Sequence, residues 1–447
     1  MQTVDFNLIN TKILTDKGFA EAGISIEADR IYKVAKLPNM PKASKTIDVK
    51  GHITLPGLID AHVHLRDLEL AYKEDFFTGT CAAAAGGFTA VLDMPNTRPP
   101  TNTPERLKEK IQRAKNQVIV NLGFYAAFPK ENGQFDEMVK NGALAFKVNL
   151  LRPVTEINVY EDDALLNAFK QVKRLNQLVA VHAEEGDVIQ RMEEDFRKSG
   201  KNSLSHYLKA HSVEREVNAV KRVLKLAGQI GLQTHFCHVS AASSLSHLKK
   251  FRLRTTCEAT PHHLFLTTNE LRKLGGIALT APPIRPSPNA SKLWRAINEG
   301  LIDIIASDHA PHTLEEKHRE NIWEVPPGIP GLETTLPLML TQINRGQISW
   351  NRLIQLLATK PAEIFHLTRG SIQAGGFADL VIIDIKKEYR IDSSKFLSKA
   401  KYSPFDGWKV KGKPMKTFVN GQLVMDEGEI VAEKGTGRIL GLKEWSS

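Results

Sequence analysis

Leu58-Ile59-Asp60-Ala61-His62-Val63-His64 decides how this chain is read, because a short apolar run ends there in two imidazoles. Four more segments share the design: Leu144-Ala145-Phe146-Lys147, Leu178-Val179-Ala180-Val181-His182, Thr234-His235-Phe236-Cys237-His238 and Ile304-Ile305-Ala306-Ser307-Asp308. Each reads as a buried strand. Residues two apart on a strand face the same way, so His62 and His64 can reach one ion from one strand end. Imidazoles, a lysine and a carboxylate at the ends of such strands lie where a parallel barrel keeps its chemistry.

Outward from these segments, the middle of the chain alternates strands with helix-like stretches. Residues 73–85 predict a helix, with Gly86-Gly87 as its stop. Residues 88–94 predict the second strand, 118–124 the third and 254–259 the seventh; Lys147, His182, His238 and Asp308 end the fourth, fifth, sixth and eighth. Eight strands with helical connections spell a (β/α)8 TIM-like barrel over 56–367. A doubly wound sheet is the alternative, but it would not bring strands one and eight together. Residues 1–55 and 368–447 are both β-rich, and Asn420-Gly421 marks a hairpin turn. They predict one composite β-sandwich domain built from both termini.

A chain of 447 residues can bury a large core. No apolar run reaches the roughly 18–20 residues that span a bilayer, and Met1-Gln2-Thr3-Val4-Asp5-Phe6-Asn7 lacks the features of a secretory signal. Cys81, Cys237 and Cys257 are too few for a disulfide framework, so a cytoplasmic setting is expected. The net charge of +10 is spread along the chain without a basic arm, which argues against nucleic acid and fits a solvated surface or weak steering of an anionic substrate.

Neutral imidazole and carboxylate are the ligands zinc prefers, although cobalt or manganese would accept the same set. Lys147 is the odd member, since an ammonium cannot bind a cation. It either pairs with a carboxylate or has added CO2, which would give a carbamate able to bridge two metals. Asp308 could ligate and also move a proton as general base and then general acid; otherwise it would cap a helix. Arg66 has the planar fork that suits a carboxylate, against a structural ion pair with Asp67 or Glu69. For His235, His262 and His263 a packing or pocket-wall role is expected.

Eight motifs recur in order. They are Asp60-Ala61-His62-Val63-His64-Leu65-Arg66, Asp93-Met94-Pro95-Asn96-Thr97, Ala145-Phe146-Lys147, Val181-His182-Ala183-Glu184, Cys237-His238-Val239-Ser240, Glu258-Ala259-Thr260-Pro261-His262-His263-Leu264, Ser307-Asp308-His309-Ala310-Pro311-His312 and Gly328-Ile329-Pro330-Gly331-Leu332-Glu333-Thr334. Together they resemble the amidohydrolase superfamily, and within it the dihydroorotase branch, from about Leu55 to Ala362. The resemblance implies a cyclic-amide hydrolase that interconverts N-carbamoyl-L-aspartate and L-dihydroorotate in pyrimidine (UMP) biosynthesis. It implies two Zn2+ per subunit: His62, His64 and Asp308 on one, His182 and His238 on the other, with N6-carboxylated Lys147 and a hydroxide bridging. It implies that Asp308 is catalytic and that Arg66, Asn96 and His312 grip the substrate carboxylate. Backbone groups around Pro327 and Gly328 would meet the ring. A homodimer and association with aspartate transcarbamoylase are also implied.

Two departures stand out. Arg66 is followed by Asp67-Leu68-Glu69 where many relatives have Glu-Pro-Gly, and Thr280-Ala281 precede the paired prolines where many have an asparagine. Allantoinases and dihydropyrimidinase/hydantoinase-type enzymes share the metals and fold. A non-catalytic scaffold for the transcarbamoylase is a further alternative.

Overall fold

The computed structural model describes residues 3–442. The chain opens with β1 (Val4–Thr15), β2 (Gly18–Glu27), β3 (Arg30–Ala35), β4 (Ala43–Asp48) and β5 (Ile53–Pro56). Eight strands follow: β6 (Leu58–Val63), β7 (Phe88–Asp93), β8 (Asn121–Ala127), β9 (Ala143–Asn149), β10 (Val179–His182), β11 (Thr234–Phe236), β12 (Thr255–Ala259) and β13 (Ile304–Ile305). The last are β14 (Leu380–Arg390), β15 (Lys409–Val419), β16 (Gln422–Asp426) and β17 (Glu429–Ile430).

Strands β6 to β13 form one parallel sheet in chain order, with helices between them. The seam between β13 and β6 is closed just past the end of β13. His64 N donates to His309 O at 2.7 Å, and Ser307 N donates to both oxygens of Asp60 at 3.1 Å. The sheet therefore curls into a nearly closed barrel, as the strand pattern predicts.

Alternation along each strand divides the side chains between two cores. Ile59, Ala61, Ala90, Leu92, Ala145 and Ala180 fill the barrel interior. Phe124, Phe146, Val179, Val181 and Phe236 pack outward against the helices. Fully burying one such large apolar side chain contributes roughly 1.5–3 kcal/mol. Phe365 and Leu440 belong to the interior cluster, and the Phe365 ring lies edge-on against Tyr125 at 5.7 Å. This pleat aims Lys147, two residues after Ala145, and His182, two after Ala180, into the barrel.

β1–β5 and β14–β17 share a nine-stranded sheet in the order β17-β16-β15-β14-β5-β1-β2-β3, with β4 against β1. Asn420 and Gly421 join β15 to β16 with φ of +49° and +80°, the left-handed pair that a tight hairpin needs. The nine-stranded sheet is pinned to the barrel by the buried Asn420 Nδ2–Asn121 Oδ1 bond of 2.9 Å, and to the helix after the barrel's first strand by Thr417 Oγ1 donating to Ala84 O at 2.7 Å.

Several boundaries differ from the sequence reading. The third barrel strand starts at Asn121, not 118, because Val118 O instead accepts from Gly435 N and Gly437 N of the C-terminal tail. The helix predicted over 73–85 spans Phe76–Ala85, with Asp75 capping it through Thr78 N. β11 and β13 stop two and three residues before His238 and Asp308. Both ligand candidates have positive φ, +34° and +49°, so they lie on turns at the strand ends. Among the described residues no helix is long and apolar enough to cross a membrane.

Candidate active site

A cavity of about 640 Å³ opens at the C-terminal ends of the barrel strands. It is lined by all of His62, His64, Arg66, Asn96, Lys147, His182, His238, Asp308, His312, Pro327 and Gly328. The rings of His62 and His64 lie 5.2 Å apart, as do those of His62 and His238, and His182 lies 4.6 Å from His238. A register irregularity between Asp60 and Val63 gives β6 an extra residue against β7. Such a bulge re-aims the side chains beyond it.

The orientation of each ring is set from behind. Asn96 Oδ1 accepts from His64 Nδ1 at 2.6 Å, so His64 Nε2 is the nitrogen that faces Asp308 Oδ1, at 3.2 Å. Burial lowers His64 to about 4, which keeps it neutral. A neutral ring with its proton spent on Asn96 turns a lone pair toward an anionic oxygen, and a cation is what satisfies two facing acceptors. His62 Nε2 is 3.4 Å from the same oxygen. Its Nδ1 is bonded to Glu258, which also accepts from His235 at 3.0 Å and from His238 N at 2.9 Å. Burial opposes charge on His62, but the Glu258 and Asp308 carboxylates, with Cys237, together outweigh it and lift the ring to about 10. That field calls for positive charge at the ring. The His62, His64 and Asp308 donor atoms all lie within 4.8 Å of one another. Burial also works against charge on Asp308, yet His62 and His64 hold its carboxyl well below the usual carboxylate range.

A second donor group lies beside the first. His182 Nε2 is tied to Glu184 at 2.8 Å, leaving Nδ1 as its other donor. His238 Nδ1 is buried without a hydrogen-bond partner, an expense of about 1–3 kcal/mol that a bound cation would remove. Lys147 Nζ lies 2.8 Å from Cys237 Sγ. Among the described residues no carboxylate pairs with this lysine, so the structure disfavours the ion-pair alternative. His62, Cys237 and Glu258 also cluster within 4.8 Å. Glu258 is fully buried, and its oxygens already serve two rings and an amide, so it acts as an orienting carboxylate.

The far wall is cationic. Arg66 is buried with φ +59°, and Asp67 and Leu68 after it are also left-handed. Asp67 does not pair with Arg66: it accepts from Arg113 Nε at 2.5 Å and from Phe76 N at 3.0 Å. Arg66 Nε donates to Pro311 O at 3.2 Å, while Nη2 lies 3.1 Å from His312 Nε2. His312 is buried. Its other nitrogen is 3.0 Å from Lys73 Nζ, which pairs with Glu316 at 2.7 Å. Lys317 is buried and donates to the carbonyls of Leu279, Pro326 and Gly328.

The loop at Pro327 and Gly328 offers less than expected. Gly328 N already donates to Leu279 O at 2.9 Å, and Pro327 has no N–H, so only carbonyl lone pairs remain. A Cβ on Gly328 would lie 2.6 Å from Ala310 O, and its φ is +136°, so glycine is required there.

Glu258, Glu184 and Lys73 had no assigned role in the sequence. Glu184 lies two residues after His182, a spacing that could have flagged it. His235 and His263 are buried and bonded within the wall, to Thr256 and Glu258 and to Thr260 and Pro282 O. His262 is buried with Nε2 unpartnered.

Residues 53–424 match the model of the amidohydrolase family. The chain is 37% identical to a dihydroorotase of Methanothermobacter thermautotrophicus over 98% of this chain and 97% of that protein. It is 31% identical to an L-hydantoinase of Paenarthrobacter aurescens, covering 96% of each. The solved L-hydantoinase (dihydropyrimidinase) from Arthrobacter aurescens superposes with a TM-score of 0.92 at 31% identity, over 98% of this chain and 99% of that one.

Proposed function

Since the chain belongs to the amidohydrolase family, we propose that it is a dihydroorotase, closing N-carbamoyl-L-aspartate to L-dihydroorotate and opening it again. It is a hydrolase of cyclic amides. One observation carries the choice of substrate. Arg66 lines the same cavity as the donor cluster and is buried without a carboxylate partner among the described residues. A buried guanidinium held that way calls for an anion from outside.

Two metal ions, taken here as zinc, would be held by His62, His64 and Asp308 and by His182 and His238, with carboxylated Lys147 between; they would supply Lewis acidity and a more acidic attacking water. The chain's own groups do the rest. Arg66 binds the ring carboxylate through Nη1 and Nη2, with Asn96 Nδ2 as a further donor because its Oδ1 is held by His64. In ring opening, the Asp308 carboxylate takes the proton of the attacking water and delivers it to the departing ring nitrogen. In ring closure it takes a proton from the carbamoyl nitrogen as that atom attacks the protonated side-chain carboxyl, and returns it to the departing hydroxyl, which leaves as water.

The test is a rate comparison on L-dihydroorotate, hydantoin, dihydrouracil and allantoin, with metal analysis of the same preparation. L-Dihydroorotate should exceed the others by about a hundredfold or more in kcat/KM, the worth of one gripped carboxylate. Preference for hydantoin or dihydrouracil would shift the assignment to the hydantoinase reading, which the TM-score of 0.92 favours. Metal-free, inactive protein would leave the scaffold reading.

A further inference from the structure

The Arg66–His312 wall contains a conflict of donors. His312 Nδ1 faces the Lys73 ammonium at 3.0 Å, and Nε2 faces the Arg66 guanidinium at 3.1 Å and Pro327 O at 3.2 Å. Lysine and arginine only donate, and a neutral imidazole has a single lone pair. Burial and the Arg66 charge hold His312 well below its ordinary pKa, so the ring is neutral. One of the two cations must therefore go without its acceptor.

The carbonyl of Pro327 decides which. It can only accept, so it favours the tautomer with the proton on Nε2. Lys73 then donates to the Nδ1 lone pair, and every partner of the ring is satisfied except Arg66. In the opposite tautomer Nδ1–H would point at the ammonium, Pro327 O would lose its donor, and Glu316 at 3.6 Å would be too far to compensate. The preferred tautomer leaves His312 Nε2–H and Arg66 Nη2–H side by side, two donors that cannot bond each other and share an opening into the cavity. Two converging donors about 3 Å apart suit one carboxylate oxygen.

We propose that Lys73 is a positioning residue that locks His312 in its Nε2–H tautomer and so keeps the Arg66–His312 pair open as a carboxylate cradle. The cradle's ligand rests on the dihydroorotase reading; the lock does not. Lys73 does not touch substrate in this account. Glu316 holds its ammonium in place at 2.7 Å, and Tyr72 and Thr313 N hold Glu316. Without Lys73 the ring proton can move to Nδ1. Nε2 would then accept from Arg66, and the two would satisfy each other instead of the incoming anion.

Lys73→Met and Lys73→Arg test this in the metal-loaded enzyme. Lys73→Met should raise KM for L-dihydroorotate about tenfold or more while kcat stays within about threefold, and Lys73→Arg, which also only donates, should recover most of the loss. Metal content should not change. The 15N signals of the His312 ring should report a bare Nδ1 in the parent and in Lys73→Arg, and a protonated Nδ1 in Lys73→Met. An unchanged His312 tautomer in Lys73→Met overturns the proposal, as does a loss confined to kcat. If Lys73→Met does not fold, a protonated Nδ1 in the parent or in Lys73→Arg overturns it equally. If the parent fails to turn over dihydroorotate, the functional reading falls, while the 15N measurement still decides the lock.

Discussion

Replacing Arg66 with methionine isolates the substrate carboxylate from the rest of the chemistry. Arg66 spends Nε on Pro311 O, so Nη1 and Nη2 are what it can offer a carboxylate. Two charge-assisted hydrogen bonds at about 1.5–3 kcal/mol each set an upper range of about 3–6 kcal/mol. Water in the cavity can replace part of that, which leaves about 3–4 kcal/mol, or roughly 10²–10³-fold in kcat/KM. The fold should not suffer. Arg66 lies near Lys73 and Lys317, whose charges oppose its own, and methionine keeps much of the buried stem. The assay pairs L-dihydroorotate with dihydrouracil, which lacks the carboxylate, and records metal content and thermal midpoint. Dihydroorotate turnover should fall by the stated factor while that of dihydrouracil stays within about threefold. An equal fall on both substrates, or none on dihydroorotate, would refute the anion role.

Lys147→Ala should lower bound metal below two ions per chain and cut turnover by about a thousandfold or more, since a paired-metal clamp contributes several kcal/mol; a bare Lys147 amine beside two bound metals in a density map would count against the carbamate. Glu258→Gln keeps the shape but removes the charge behind His62, and metal affinity measured by competition with a chelator should weaken about 10–100-fold; unchanged affinity would make Glu258 purely a packing group. Glu333, in the helix Leu332–Asn344, accepts from Leu397 N and Ser398 N. Burial raises it from 4.5 to about 7, so the folded state binds a proton that the unfolded chain releases. Stability should therefore fall as pH rises from about 4.5 to 7, by at most about 3 kcal/mol and less for a half-buried group. Glu333→Gln should flatten the thermal midpoint across that window, and a profile that keeps its slope would exclude Glu333 as the source.

The barrel was legible because its strands carry two signals at once, continuous apolar runs and a ligand at the end of the run. Ala145 and Lys147, or Ala180 and His182, need only the two-residue pleat to be aimed inward. His62 and His64 needed more, because their reach depends on the irregularity after Asp60, which no periodicity reports. Strand three was misplaced by three residues because an apolar run does not name its partner. Val118 and Leu122 are equally buried and both bond a tail more than 300 residues away, but Leu122 also pairs with Val91 in the barrel sheet. The same limit hid the carboxylates. Glu258 and His62 are 196 residues apart, and only the closed barrel brings them together.

The site's chemistry turns on which nitrogen of each ring is left over. His62 is held at Nδ1 by Glu258, His64 at Nδ1 by Asn96, His182 at Nε2 by Glu184 and His312 at Nδ1 by Lys73. Three of these partners accept, so each holds a proton on the near nitrogen of its ring and leaves the other nitrogen to face the cavity, where a cation would sit in place of a second proton. Lys73 alone donates, so His312 turns an N–H to the cavity, where an anion would sit. Four similar side chains thus divide into metal ligands and an anion donor through the polarity of what stands behind them. Exchanging the sign of one such partner should convert one kind into the other. Glu184→Lys would put a donor behind His182, leave its proton on Nδ1, and cost the second metal before it cost the first.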